Sequence, residues 1–258
     1  MVLWKNRRSI LIGKRKVQKD KMDGKQMVHT SILLVLLALV SITAATVAWF
    51  SIADRTKVRS MSMEITTGVN LRFDLDAHDT FDEYVKTLGF EQIGERIEQE
   101  KGFKMSEVPL EPVTTTDYAE FTFETGTVVG AEKGAYLEFT LNFMSTQDMD
   151  VYLTTEDSSG KTDGTKIESS NPELPNAMRI SFTSDNETMV YDPGNGDVDI
   201  RLFSLKKEKN QPVIVHIWIE GTDEACTDAL RGADYQISMR FVGKDENGNG
   251  LDGTSESR

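Results

Sequence analysis

Beyond residue 51 the chain alternates apolar and polar residues with a period of two, the pattern that gives a strand one face for a core and one for water. Tyr235, Ile237, Met239 and Phe241 alternate with Gln236, Ser238 and Arg240, and Leu137, Phe139, Leu141 and Phe143 alternate with Glu138, Thr140 and Asn142. Met61, Met63 and Ile65, then Leu71, Phe73 and Leu75, predict two further strands. Met178, Ile180 and Phe182, with Val198, Ile200 and Leu202, predict two more, and Val151 with Leu153 and Phe121 with Phe123 mark shorter ones. Residues Val213 to Ile219 are apolar on both faces except at His216, as in a central strand. Turn sequences such as Pro193-Gly194-Asn195-Gly196 and Asp163-Gly164 separate the runs. Eight or more short strands, each with an apolar face to hide, predict a mainly β fold. The economical form is a two-layer antiparallel β-sandwich of jelly-roll or Greek-key kind over residues 54–242. One helical insertion interrupts the alternation. Phe81, Tyr84, Val85 and Leu88 recur at helical spacing after a cap at Asp79, and Ile93 and Ile97 follow Gly89, predicting one or two short helices within 79–101. Residues 243–258 read as a polar, Gly-rich, flexible tail.

The first fifty residues follow another rule. No charged side chain occurs from Ser31 to Ala53, and Ile32 to Val40 is continuously apolar. As a helix, Ser31 to Phe50 would rise about 30 Å, the thickness of a bilayer's hydrocarbon layer. Residues 1–30 form a basic leader with nine Lys and Arg against two acidic residues, a net of +7. By the positive-inside rule this leader stays in the cytoplasm, and everything after Asp54 lies outside the membrane. The run from Ser41 to Ala48 is built of small residues, as a signal peptidase requires, so cleavage between Ala48 and Trp49, or after Ala45, is one reading of residues 31–53. An uncleaved signal anchor is the other. Arg7-Arg8 lies too far ahead of the apolar core for a twin-arginine signal, and serves as part of the retained charge.

The closing residues Ala48-Trp49-Phe50-Ser51, followed within twenty positions by the Met/Ile alternation and Thr67-Gly68, resemble the start of Gram-positive exported proteins processed by a SipW-type signal peptidase. That group includes camelysin and the TasA-type fibre protein of biofilm matrices. Leu110-Glu111-Pro112-Val113-Thr114-Thr115-Thr116 and the run from Trp218 to Leu230 resemble blocks in uncharacterised proteins of the same kind. The resemblance implies an exported cell-surface or matrix protein whose partners are the membrane, a signal peptidase, further copies of itself or other surface proteins. It also implies that the stretch from Trp49 to about Thr67 can add as a strand to a neighbouring subunit, with Met61, Met63 and Ile65 as anchors. Pairing within its own sandwich is the alternative.

Composition narrows the chemistry. The 258 residues carry one cysteine, so a disulfide framework is excluded. Beyond residue 30, twenty basic residues face forty acidic ones, a net of −20, and a body so acidic repels nucleic acid. The three histidines, His29, His78 and His216, include no His-Glu-x-x-His pair, which excludes a zinc protease of the usual helical kind and leaves a camelysin-like protease, the least favoured reading, without ligands. His216 reads as a hydrogen-bonded histidine within a sheet. Cys226 reads as a buried, inert thiol rather than a nucleophile or an intermolecular bridge. No Gly-x-Ser-x-Gly elbow occurs, and no catalytic residue or organic cofactor is expected. One metal pattern stands out. Asp245, Asn247, Asn249, the carbonyl of Leu251 and Glu256, with Gly250 at the turn, match the ligand order of a calcium loop. The match is weak, because a strand leads into it and only Ser257 and Arg258 follow where an EF-hand needs a helix; a polar tail explains the same residues. A structural or interaction protein is therefore the leading expectation, with an extracellular module for glycan, peptide or calcium-dependent binding as the alternative.

Overall fold

The computed structural model describes residues 31–36, 57–67, 70–154, 164–195, 199–230, 232–245 and 248. The chain divides into two compact units, Met1–Thr43 and Ala44–Arg258. In the first, residues 31–36 are helical and Ile32 to Leu36 each expose more than half their surface. No helix among the described residues is long and apolar enough to cross a membrane. Most of the predicted span 31–53, and the cleavage position at Ala48 and Trp49, lie outside the described residues.

The second unit holds fourteen strands among the described residues. They are β1 (Lys57–Thr67), β2 (Leu71–Asp74), β3 (Thr87–Leu88), β4 (Pro112–Val113), β5 (Phe121–Thr122), β6 (Val128–Val129) and β7 (Leu137–Ser145), then β8 (Met149–Leu153), β9 (Lys166–Ser169), β10 (Met178–Ser184), β11 (Glu187–Tyr191), β12 (Ile200–Leu205), β13 (Gln211–Glu220) and β14 (Asp234–Lys244). One six-stranded sheet runs β12-β8-β14-β1-β3, with β9 continuing the line of β8 along β14. The other runs β11-β10-β13-β7-β2, with β4 joined to the end of β13, which is central as its two-sided apolar pattern predicts. Strands β5 and β6 form a separate two-stranded hairpin.

The two large sheets share one core. Phe241 from the first meets Phe73, Phe143 and Phe182 from the second, with ring centroids 5.7, 5.3 and 5.9 Å apart, and Phe143 also meets Phe203 at 5.1 Å. These tilted and edge-on contacts suit the quadrupoles of the rings. The mainly β expectation therefore holds, and the alternating residues named from the sequence in β1, β7, β8, β10 and β14 are buried.

Pairing directions correct the antiparallel expectation, because the first sheet is mixed. Strand β1 lies parallel to β14 over nearly its whole length, from Lys57 opposite Asp234 to Thr67 opposite Val242, and β4 lies parallel to β13. A parallel neighbour needs a long connection, and here the connection is the rest of the body. A register shift between Val58 and Ser60 lets Val58, three residues before Met61, turn inward with Met61, Met63 and Ile65. The opposite face of β1 makes cross-strand polar contacts: Ser60 to Gln236 at 3.3 Å, Ser62 to Ser238 at 3.4 Å, and an ion pair between Glu64 and Arg240.

The helical insertion is shorter than predicted. Phe81–Glu83 makes one 3-10 turn that starts at Thr80, whose N–H and hydroxyl both donate to the Glu83 carboxylate, rather than at Asp79. Val85 instead bridges Phe73, and Leu88 lies in β3. Strand pairing to an adjacent sheet edge overrides the helical spacing there. The helix is Phe90–Lys101; it buries Ile93 and Ile97 and stops at Gly102, whose φ of 81° is a left-handed cap. A second short helix, Leu174–Ala177, precedes β10. Strand β14 runs to Lys244, two residues into the predicted tail.

Truncating the ring common to most of these contacts tests the shared core. Phe241→Ala is expected to lower unfolding stability by about 3–5 kcal/mol, read from urea denaturation, because the void opens between two sheets that cannot collapse together.

Candidate functional site

The outer face of the second sheet is where sequence reasoning left the most unresolved. Register alone builds a polar row across three strands: Ser181 of β10 lies opposite His216 of β13, which lies opposite Glu138 of β7. The imidazole uses both nitrogens, with Nε2 3.1 Å from Glu138 Oε2 and Nδ1 3.4 Å from Ser181 Oγ. Glu138 Oε1 also accepts from Lys101 Nζ at 2.6 Å, so the last residue of the helix joins the row. The sequence reading of His216 as a hydrogen-bonded sheet histidine holds.

A second small core covers this row. The β5–β6 hairpin lays Phe121 on Tyr136 as a stacked pair 4.0 Å apart, and Phe121 also meets His216 at 5.1 Å and Trp218 at 5.4 Å. Val113, Val129, Ala131 and Ala135 complete the cluster. Glu138 is held far below the usual carboxylate range, at about 2, chiefly by the His216 hydrogen bond, with Lys101 adding a hydrogen bond and its charge. Burial, aided by the charges of Glu138 and Glu132, pushes the Tyr136 hydroxyl up to about 12.

Serine, histidine and carboxylate in one row invite comparison with a hydrolytic triad. Catalysis needs a reachable nucleophile activated through one imidazole nitrogen, with the acid orienting the other. Here Ser181 is fully buried and His216 is 4% exposed beneath Phe121, so no acyl group can approach. The opposing charges instead tie the helix end to the sheet. The hydroxyl can rotate to donate or accept, so neutral and protonated imidazole are both satisfied.

The sequence blocks 110–116 and 218–230 meet at one corner. Pro112–Val113 pairs with Ile219–Glu220, and Gly221 N–H donates to Val113 O. Glu220 accepts from Trp218 Nε1 at 3.0 Å and from the Thr222 hydroxyl at 2.7 Å, while Asp223 accepts from Ala225 N and pairs with Arg179. The guanidinium of Arg179 reaches Asp192 as well, at 3.1 Å. These blocks build a corner of the fold, with Glu220 engaged inside the second block and Asp223 tied to Arg179 of β10. Cys226 packs partly buried against the main core; burial, with Asp223 and Glu220 nearby, pushes its thiol up to about 12, so it is a poor nucleophile.

Of the calcium-loop residues, Asn247, Asn249, Leu251 and Glu256 lie outside the described residues. Asp245 is described at the end of β14, where its carbonyl accepts from Gly248 N. No group of three His, Cys, Asp or Glu side chains among the described residues is placed to hold a metal ion.

Two open clefts flank the helix Phe90–Lys101. The first, about 300 Å³, is lined by Asp74, Asp76, Gln92, Glu95, Arg96 and Gln99 above Leu75, Val85 and Leu88. Its charges are largely mutually engaged: Arg96 pairs with Asp76 at 2.7 Å and with Glu100 at 3.3 Å, and Asp74 accepts from two backbone amides and lies 3.6 Å from His78. The second, about 290 Å³, lies along the other flank and has an apolar floor.

Acid titration checks the Glu138 link. A carboxyl depressed on folding contributes stability above its unfolded value near 4.5, and that stability is lost as pH falls toward about 2. Denaturation of the intact protein between these limits is expected to show a loss of about 2 kcal/mol that Glu138→Gln removes, less than the full shift because the carboxylate keeps some contact with water.

Comparison with protein-family models, with curated proteins and with solved structures finds no match to this chain.

Proposed function

We propose that the chain is an exported structural or interaction protein of the bacterial cell surface or biofilm matrix, anchored by or released from the segment 31–53, and assembling by strand exchange. The β-sandwich is read as jelly-roll-like, because successive strands pass between the sheets, as from β1 to β2 and from β7 to β8.

The observation that carries the reading is the place of β1. It is the strand that directly follows the apolar segment, and it sits between β14 and a partner, β3, that pairs only at Met63 and Glu64. Its buried anchors are Val58, Met61, Met63 and Ile65. In the described structure β1 occupies its own sandwich, the second of the two dispositions open from sequence. The same slot accepts the same strand from another copy with every pairing preserved, so exchange requires no new interface. The polar outer face of the first sheet, where Glu64 pairs with Arg240, Asp150 with Arg201 and Glu168 with Lys166, suits an extracytoplasmic body that must stay soluble until it assembles.

Ser62 and Ser238 are register partners and report which copy supplies β1. In a Cys226→Ala background, Ser62→Cys with Ser238→Cys is expected to give a ladder of covalent oligomers on a non-reducing gel after assembly at the cell surface. Intrachain bridges alone would contradict strand exchange. Amino-terminal sequencing of the same material is expected to start at Trp49 if the segment is removed. Recovery of the protein from the cytosol would overturn the export reading.

A further inference from the structure

The helix Phe90–Lys101 contains a glycine in its interior, and its surroundings do not require one. A Cβ built on Gly94 meets only Met105 Cε, at 3.7 Å, an ordinary contact. Helix interiors disfavour glycine relative to alanine, because its backbone loses more freedom on folding. Stability is therefore given up at Gly94 without a steric reason. What the missing side chain leaves is a notch in the second cleft, about 290 Å³, floored by Phe90 and Met105 and bordered by Lys104 and Ser106.

The rim is mainly negative. Glu91, Glu95 and Glu98 follow each other at spacings of four and three along the exposed helix flank, so one row of carboxylates borders the notch. Across it, Lys104 is paired with Glu107 at 3.6 Å. An occupant must therefore bring an apolar group for the floor and positive charge for the rim. A free amine or a bare cation would satisfy only the rim, whereas a peptide side chain with basic neighbours satisfies both.

We infer that this groove docks a peptide segment of a partner protein in which a large aliphatic or aromatic residue is flanked by Lys or Arg, with Gly94 kept open to admit that side chain. The apolar residue sits against Phe90 and Met105. The flanking cations run beside Glu91, Glu95 and Glu98, where steering by charge raises the encounter rate and makes binding salt-dependent. This site is separate from β1 and does not depend on strand exchange.

Selection of a phage-displayed library of random peptides on the intact protein tests the inference. Enrichment of peptides with an apolar residue between Lys or Arg is expected, with binding that weakens as salt rises. Against a synthetic copy of the enriched peptide, Gly94→Leu, which fills the notch, and the double reversal Glu91→Lys with Glu95→Lys are each expected to weaken binding by about tenfold or more. Gly94→Ala separates the role from folding: it is expected to raise the melting temperature by about 1–4 °C while weakening the peptide. No enrichment, enrichment of acidic or uncharged peptides, or equal affinity for Gly94→Leu would overturn the proposal.

Discussion

The ladder between β1 and β14 joins the two ends of the described body, with side-chain contacts between residues 176 positions apart in sequence. A parallel pair cannot be made by a hairpin, so this ladder can form only once everything between has been brought into place or is placed by it. It also sets the edge of the first sheet. Without β1 the inward row Tyr235, Ile237, Met239 and Phe241 keeps its partners β8 and β9 on one side, while the other edge of β14 loses its hydrogen bonds and the core loses Met61, Met63 and Ile65. An open edge above an apolar face is a template for another strand. In this structure the chain's own β1 fills that edge and completes the sheet.

The second sheet shows how an outer face can be closed by a two-stranded hairpin. The β5–β6 pair and the aromatic stack of Phe121, Tyr136 and Trp218 cover the part of it around His216. Burying a polar row under that cover is tolerable only if every member is satisfied. His216 meets that condition by spanning Ser181 and Glu138, and Glu138 in turn holds the helix through Lys101. That link ties the carboxyl end of the helix that carries Gly94 to the second sheet.

The strands were legible because burial on one face imposes a period of two, and the alternating runs in β7, β10 and β14 contained no competing signal. Direction was not legible, because the same alternation suits parallel and antiparallel neighbours, and nothing within residues 57–67 reveals that the partner lies at the far end of the chain. The helix at 79–101 was half legible. Ile93 and Ile97 report a buried helical face, whereas Phe81, Tyr84, Val85 and Leu88 have the spacing of a helix but only Phe81–Glu83 makes a 3-10 turn, because Val85 is taken by the edge of β2 and Leu88 by β3. The Ser181–His216–Glu138 row could not be read at all, since it depends on the register of three strands distant in sequence. Glu138 looked like any solvent-facing residue of an alternating strand. The glycine at Gly94 was visible, and its meaning was not, because only the position of Met105 shows that the helix could hold a larger residue there.

Hydrogen exchange of the separated monomer, read by mass spectrometry across residues 57–67 and 234–244, tests the β1–β14 ladder most directly. The two segments are expected to be protected together and to exchange with the same opening free energy as β13, because one cooperative ladder holds both. Fast exchange in residues 57–67 beside a protected β14 would contradict the account, and would mean that the body is complete without its first strand.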